Sequence, residues 1–460
     1  MEPPSTSFIT VGRRLALFLA LGSQVLRADI VRDWNQEALA VIRDQALSPA
    51  YASRDLAILH TAIYNAVESV AGTYTQFSGV GYAGAGSGPS GASLEAAAAA
   101  AAYTVMADLY PTQQSHFWNV YQTQLTGISA GQAKTDGVNW GSTVATDLLL
   151  WRSTDGAVDA SAASYTEVGQ IGYWQRTPPL YDPNPELPGW KNVKLFSAAS
   201  TAAFSPPGLG ITTRSDYLAS SGYATDYNQV QSLGSVSSVS RTTDQTNLAW
   251  YWSAAPGTVT TAGQWNEIAQ TVAFDAGMTI QDSARLFAAM NVAMADAAIV
   301  AWESAYAVDF WRPVTAIAYG DSDGNGSTIG DELWTPLLDS ANLPEYPSTV
   351  STLSGAAAGV LGAIVGNGTT FTYTADIDGD GIGDLTMTYN SFSEAADAAG
   401  VSQIYGGVAF GTSVEDGLAA GQDVGSYIMA NNFATVPEPG SAWLVALSTV
   451  GLLVRRRRGK

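Results

Sequence analysis

Apolar residues recur at three- and four-residue spacing along most of this chain, a period that suits helices far better than strands. From Asp29 onward, Ile30, Trp34, Ala38, Leu39, Val41 and Ile42 form one apolar stripe, and Leu56, Leu59, Ile63, Val67 and Val70 form a second. Two packed helices therefore open the fold. Ser93, with Glu95 nearby, starts an alanine-dominated helix that runs through Leu109 and is closed by Pro111. Further helices are predicted over 113–125, 130–151, 265–276, 280–307, 349–365, 393–398 and 414–430. Only 369–374 and 385–389 read as strands, a small β-hairpin within 369–389. Residues 155–262 are rich in Gly, Ser, Thr and Pro with only brief periodic runs. The stretch from Gly172 to Trp190 is expected to be a long ordered loop, because its aromatics need burial. With no repeat and no flexible linker, the chain reads as one all-α domain, a large helical bundle from 29 to about 432.

Composition narrows the chemistry. The 460 residues carry 20 Lys+Arg against 41 Asp+Glu, a formal charge of −21, which argues against nucleic acid or an anionic membrane face as the main partner. The absence of cysteine excludes disulfides, thiolate metal sites and a cysteine nucleophile. With only His60 and His116, a mechanism built on several imidazoles has no residues to draw on. His60, inside the apolar stretch Leu59-His60-Thr61-Ala62, reads as a core histidine, and His116 as a partly exposed one near a helix start.

Both ends read as addresses. Residues 13–28 contain Arg13-Arg14, a short apolar run and Ala28, the pattern of a secretory signal peptide (1–28) cut before Asp29. The run is too short for a bilayer span. At the other end Val436-Pro437-Glu438-Pro439-Gly440 is followed by an apolar stretch to Val454 and then Arg455 to Arg458. This segment, 436–460, resembles a PEP-CTERM sorting tail. The resemblance implies an exosortase-type processing enzyme, transient membrane contact through the tail, export across the inner membrane of a bacterium, and release to the cell surface or extracellular matrix. Polysaccharide or protein of that matrix becomes a candidate partner. Removal of both basic ends would leave a core near −28.

Three segments in the C-terminal half carry a family pattern: Phe310-Trp311-Arg312-Pro313, Pro344-Glu345-Tyr346-Pro347-Ser348-Thr349-Val350, and Ser402-Gln403-Ile404-Tyr405-Gly406-Gly407-Val408-Ala409. In order and spacing they resemble the vanadium-dependent haloperoxidase and type 2 phosphatidic acid phosphatase superfamily, whose pattern is KxxxxxxRP, PSGH and SRxxxxxH. The resemblance extends upstream through Ala284-Arg285-Leu286-Phe287 and Asp296-Ala297-Ala298. It implies a helical bundle, with a homodimer as a compatible assembly that no stripe here demands. It also implies an oxyanion cradle, in which a Lys and two Arg supply charge, Ser and Gly supply hydrogen bonds, and two His act as covalent ligand or nucleophile and as acid-base group.

Carried over position by position, the cradle is largely gone. Arg312 and Ser348 match, but the Lys position is Ala305, the Gly-His pair is Thr349-Val350, the second Arg is Gln403 and the ligand His is Ala409. Each charge-assisted bond to a buried anion is worth about 1.5–3 kcal/mol, so loss of a Lys and an Arg removes on the order of 10³-fold in affinity. Vanadate is therefore not expected to bind. The reading that follows is an exported surface or matrix protein, non-catalytic at this site, in which Arg312 pairs with a carboxylate such as Asp309 or Glu345. The competing reading is an active vanadium-dependent haloperoxidase or acid phosphatase with a rearranged site around Arg312 and Ser348, which needs an added cation from Lys191, Lys194 or Arg214.

Two acidic loops point to calcium. Asp376, Asp378, Asp380 and Asp384, between the predicted strands, place alternate carboxylates on a Gly-bearing turn, though Met387 stands where an EF-hand has its bidentate Glu. Asp321, Asp323, Asn325 and Glu332 fit the EF-hand spacing position by position, but flanking helices are doubtful next to Pro313 and Pro336.

Overall fold

The computed structural model describes residues 29–210 and 213–436, so the predicted leader and all but Val436 of the predicted tail lie outside the described residues. The chain forms helices α1 (Ile30–Asp44), α2 (Pro49–Ala71), α3 (Leu94–Leu109), α4 (Gln114–Thr126), α5 (Gln132–Arg152), α6 (Arg214–Leu218), α7 (Ser221–Gly234) and α8 (Thr243–Tyr251). It continues with α9 (Thr260–Asp275), α10 (Ile280–Val308), α11 (Pro313–Ala318) and α12 (Thr349–Leu361). Strands β1 (Phe371–Ala375) and β2 (Leu385–Tyr389) follow, then α13 (Phe392–Tyr405) and α14 (Gly411–Asn431). The predicted all-α class holds, with the hairpin as its one sheet among the described residues.

The helices start where side-chain caps permit. Asp29, Ser93 and Ser348 each accept a backbone N–H of the first turn of α1, α3 and α12. Helix α10 is the axis of the bundle. It packs against α2, α12 and α14, and 22 of its 29 residues are buried. Helix α10 and the stretch Thr349–Gly366 are each long and apolar enough to cross a bilayer, but α10 has its apolar window 94% buried inside the protein. Such all-round apolarity suits a core helix of a large bundle.

Small residues set the helix spacing at two contacts. A Cβ on Gly421 of α14 would stand 2.0 Å from the Thr352 carbonyl of α12, and one on Gly141 of α5 would stand 2.1 Å from the Ala97 carbonyl of α3. In the hairpin, Phe371 pairs with Tyr389 and Ala375 with Leu385. Phe371, Tyr373 and Tyr389 face the core, while the hydroxyls of Thr372 and Thr388, and of Thr374 and Thr386, pair across the outer face.

The region 155–262 departs from expectation in part. Trp174 and Trp190 of its first half are sealed from solvent as predicted, but Tyr181 is exposed, and α6, α7, α8 and the first turn of α9 lie in its second half. These helices begin at Thr213, Ser220 and Thr242, the last with a full capping box to Gln245. Their faces are polar with scattered aromatic anchors, so the apolar period is weak. Helix α13 also runs seven residues past its predicted end. Gly400 does not stop it, since it sits where a Cβ would come 2.8 Å from Val414 Cγ1.

Candidate functional site

The three motif segments meet at one end of the bundle. Helix α10 ends at Asp309 in a left-handed conformation, and the next residues lie beside the 172–174 loop: Trp174 N donates to Asp309 O at 3.1 Å and Trp311 N to Gly172 O at 3.3 Å. Arg312 precedes Pro313, the first residue of α11. The second segment docks on the first through Glu345 N, which donates to Phe310 O at 2.9 Å. Ser348 then caps α12, its Oγ accepting from Ser351 N and from Ser351 Oγ at 2.9 Å. The third segment is the turn after α13, where Val408 N donates to Gln403 O at 3.0 Å.

Between them lies a cavity of about 110 Å³, whose walls include Arg312, Ser348, Thr349, Val350, Gln403 and Ala409. Six of the seven family positions thus gather, although up to 97 residues separate them. The seventh, Ala305, is buried in α10, where its carbonyl accepts the Asp309 N–H that ends the helix, and it does not line the cavity.

Arg312 is the one cationic side chain among the described lining residues, and its donors are largely committed. Nε donates to Leu343 O at 2.7 Å, Nη1 to Val408 O at 3.2 Å and Nη2 to Pro344 O at 3.3 Å. Burial lowers its pKa, with Glu345 and then Glu186 opposing. Burial pushes the Glu345 carboxyl up to about 7 against the pull of Arg312; its Oε1 accepts from Phe410 N at 3.1 Å while Oε2 is buried without a partner. Glu186 is likewise pushed to about 7 by burial, with Arg312 opposing, and its Oε1 is buried without a partner although the residue as a whole is half-buried. Among the described residues no carboxylate lies within 4.0 Å of Arg312. The expected direct ion pair with Asp309 or Glu345 is therefore replaced by a net of main-chain carbonyls with two acids nearby. Asp309 instead accepts the Tyr165 hydroxyl at 2.6 Å.

The other candidate groups lie elsewhere. Gln403 Nε2 donates to Ser402 Oγ at 3.0 Å and to Trp252 O at 3.4 Å, so it turns into the protein fabric. Arg214 donates to the carbonyls of Gly172 and Val308 and lies over the Tyr173 ring, 3.9 Å from its centroid. Lys191 and Lys194 line a different cavity. His60 is fully buried, stacked on Phe287 and bonded through Nε2 to Asn35 Oδ1 at 3.1 Å, and burial lowers its pKa to about 3. His116 is exposed, with Nε2 2.6 Å from Glu37 Oε2. Glu186 was not visible to sequence reasoning, since its loop carries no period and no motif.

A multiply charged oxyanion needs converging cations and free donors. Here one guanidinium has three of its five N–H groups on carbonyls, Asp339 also lines the wall, and the carboxyls of Glu345 and Glu186 already face its charge. No imidazole lines the cavity among the described residues. The described lining thus lacks the converging cations and free donors that such an anion needs.

Of the acidic loops, the structure brings Asp376, Asp378 and Asp384 together, with one oxygen of each within 4.8 Å of the others; Asp380 is not in the group. Asp376 Oδ2 also faces Arg43 Nε at 3.2 Å. The second loop is spent internally: Asp323 accepts from Asn325 N and Thr328 Oγ1, Asn325 donates to the carbonyls of Leu218 and Ser220, and Asp321 accepts from Gly330 N. The carboxylates of Asp321, Asp323 and Glu332 do not form a converging group among the described residues, and before the loop stands only the six-residue α11, followed by a 3₁₀ turn (Gly320–Ser322) that contains Asp321 itself.

The helical architecture resembles that of solved vanadium-dependent haloperoxidases. Residues 285–436 match the family model of the VCPO second helical-bundle domain. Over 81 residues, 16% of this chain, the sequence is 32% identical to vanadium chloroperoxidase of Curvularia inaequalis, and the match spans 13% of that protein's length. The fold superposes on the first bacterial vanadium-dependent iodoperoxidase with a TM-score of 0.76, at 23% identity over 89% of this chain and 98% of that one. A holo-type bacterial vanadium-dependent chloroperoxidase matches with a TM-score of 0.62, at 16% identity over 84% and 93% of the two chains. The likeness is thus one of fold across most of the chain, and one of sequence to a vanadium-haloperoxidase domain over residues 285–436.

Proposed function

We propose that this protein is an exported member of the vanadium-haloperoxidase-like superfamily whose oxyanion site has been converted into structure, and that it acts without catalysis at the cell surface or in the extracellular matrix. One observation carries the reading. The guanidinium of Arg312 is held by the carbonyls of Leu343, Pro344 and Val408, with Glu345 and Glu186 beside it, so the protein's own groups occupy the role of the anion. Ser348 caps α12 and its Oγ accepts from Ser351, which fits a helix start as well as it would fit an anion contact. Export rests on the basic-apolar leader and the Pro-Glu-Pro tail, with an exosortase-type enzyme as processing partner. A calcium ion at Asp376, Asp378 and Asp384 would brace the hairpin loop.

The competing reading, an active haloperoxidase or acid phosphatase, draws on the survival of Arg312 and Ser348 in one cavity. Calorimetric titration of the purified protein with orthovanadate, in calcium-containing buffer, separates the two. No binding at this cavity up to millimolar vanadate is expected; micromolar binding there would overturn the proposal.

A further inference from the structure

A second cavity, of about 430 Å³, lies on the flank where the end of α5, the segment after Trp190 and the Glu303 turn of α10 meet. Its volume is in the range of small-molecule sites. It shares no lining residue with the Arg312 cavity. The whole chain has four lysines, at 134, 191, 194 and 460, and two of them stand on this one rim. In a chain with 41 carboxylates, neither Lys191 nor Lys194 has one within ion-pairing distance among the described residues. Lys194 Nζ rests on Thr154 O at 2.8 Å, and both side chains are exposed. Their charge is unspent.

The floor is rigid. Arg152, 2% exposed, lies between the rings of Trp151 and Phe196, 4.8 and 3.8 Å from their centroids. Its Nη2 bonds Asp155 at 2.8 Å and Lys194 O at 2.8 Å, and Nε is buried without a partner. Lys194 N is tied to Asp155 O at 2.9 Å, so the lysine-bearing segment is fixed at both its amide and its carbonyl. Polar groups complete the wall, with Asn192 and Ser200 able to donate or accept and Glu303 able to accept.

We infer that this cavity binds a small hydroxylated organic anion, a sugar acid or a sugar phosphate. The lysines receive the anionic group as compact, mobile point charges, and Asn192, Ser200 and Glu303 take the hydroxyls. Glu303 selects against ligands that carry nothing but negative charge, because such a ligand meets its carboxylate with no hydroxyl to donate. The surrounding acidity of the molecule sharpens the contrast, since this rim is a cationic spot on an anionic surface. The inference does not depend on the loss of the Arg312 site.

The test is calorimetric titration of the full-length protein with glucuronate, with glucose 6-phosphate and with glucose. Saturable binding of at least one anion is expected, weakening as salt is raised, with no saturable heat from glucose. Glucuronate alone would identify a sugar acid and glucose 6-phosphate alone a sugar phosphate. Lys191→Gln with Lys194→Gln should weaken binding at least about tenfold. Lys191→Gln alone, which removes no internal contact among the described residues, should weaken it in the same direction. No saturable heat from either anion, equal binding of glucose, or unchanged binding in both variants would overturn the inference. Orthovanadate is also an anion, so vanadate heat that persists in the double variant belongs to the Arg312 cavity, and heat that vanishes belongs here.

Discussion

Replacing Arg312 with Met tests whether this arginine now serves the fold. Met keeps most of the aliphatic length but removes the bonds to Leu343, Pro344 and Val408 and the charge facing Glu345 and Glu186. Each buried carbonyl left unpaired costs about 1–3 kcal/mol. Relief of the guanidinium's own desolvation offsets part of that, and the expected net loss is about 3–5 kcal/mol, the range for breaking a buried charge arrangement by removing one side. The loss should also depend on pH. Glu345 and Glu186 titrate near 7 in the fold against an ordinary 4.5, so between those values the folded chain holds protons that the unfolded chain has released. Their contribution to stability is therefore fully present below pH 4.5 and declines as pH rises to about 7. Arg312 restrains the shift, and without it both carboxyls resist ionisation to still higher pH. The gap between wild type and Arg312→Met should accordingly be wider at pH 8 than at pH 5. Urea unfolding followed by tryptophan fluorescence and circular dichroism at the two pH values measures it. A loss below about 1 kcal/mol, or one equal at both pH values, would show that Arg312 is not anchored in the way described, since a site arginine kept for a ligand should cost little to remove.

The His60 ring, lowered to about 3 by burial, should not titrate between pH 8 and 5 by NMR; a midpoint near 6 would contradict its packing on Phe287. Its linkage has the opposite sign to that of Glu345, because the unfolded chain binds the extra proton: stability from His60 is present above pH 6.5 and is lost as pH falls toward 3. Gly421→Ala should destabilise the α12–α14 contact by about 1–3 kcal/mol or more, read as a lowered melting temperature, because the new methyl meets the Thr352 carbonyl; an unchanged melting temperature would mean the helices part freely there. Calcium titration should give binding with a Kd of about 0.1–1 mM that is abolished by Asp378→Asn with Asp384→Asn, and absence of heat at ~10 mM calcium would dismiss the loop as a site.

The sequence by itself determined the helical class, the hairpin and most helix starts. Apolar period and caps act within about four residues, so Ser93, Ser348 and the strand alternation around Thr372 and Thr388 can be read locally. It also held the motif order that gathers Arg312, Ser348, Gln403 and Ala409 in one cavity. It did not hold the helices α6 to α8, whose polar faces give almost no period and which are anchored by aromatics packed on distant elements, Tyr217, Tyr223 and Tyr227 near Phe310 and Phe410 and Tyr251 against Tyr373. Nor did it hold the partners of Arg312. Leu343 and Pro344 are 31 and 32 residues away, Val408 is 96 away, and Glu186 lies on an irregular loop 126 residues upstream. Main-chain carbonyls look alike at every position of a sequence, and only the packing of the segment before α12 and the turn after α13 aims three of them at one guanidinium. The pairing of Lys191 and Lys194 on the rim above Arg152 has the same origin, since the loop that carries them is shaped by its contacts with α5 and α10 rather than by any pattern of its own.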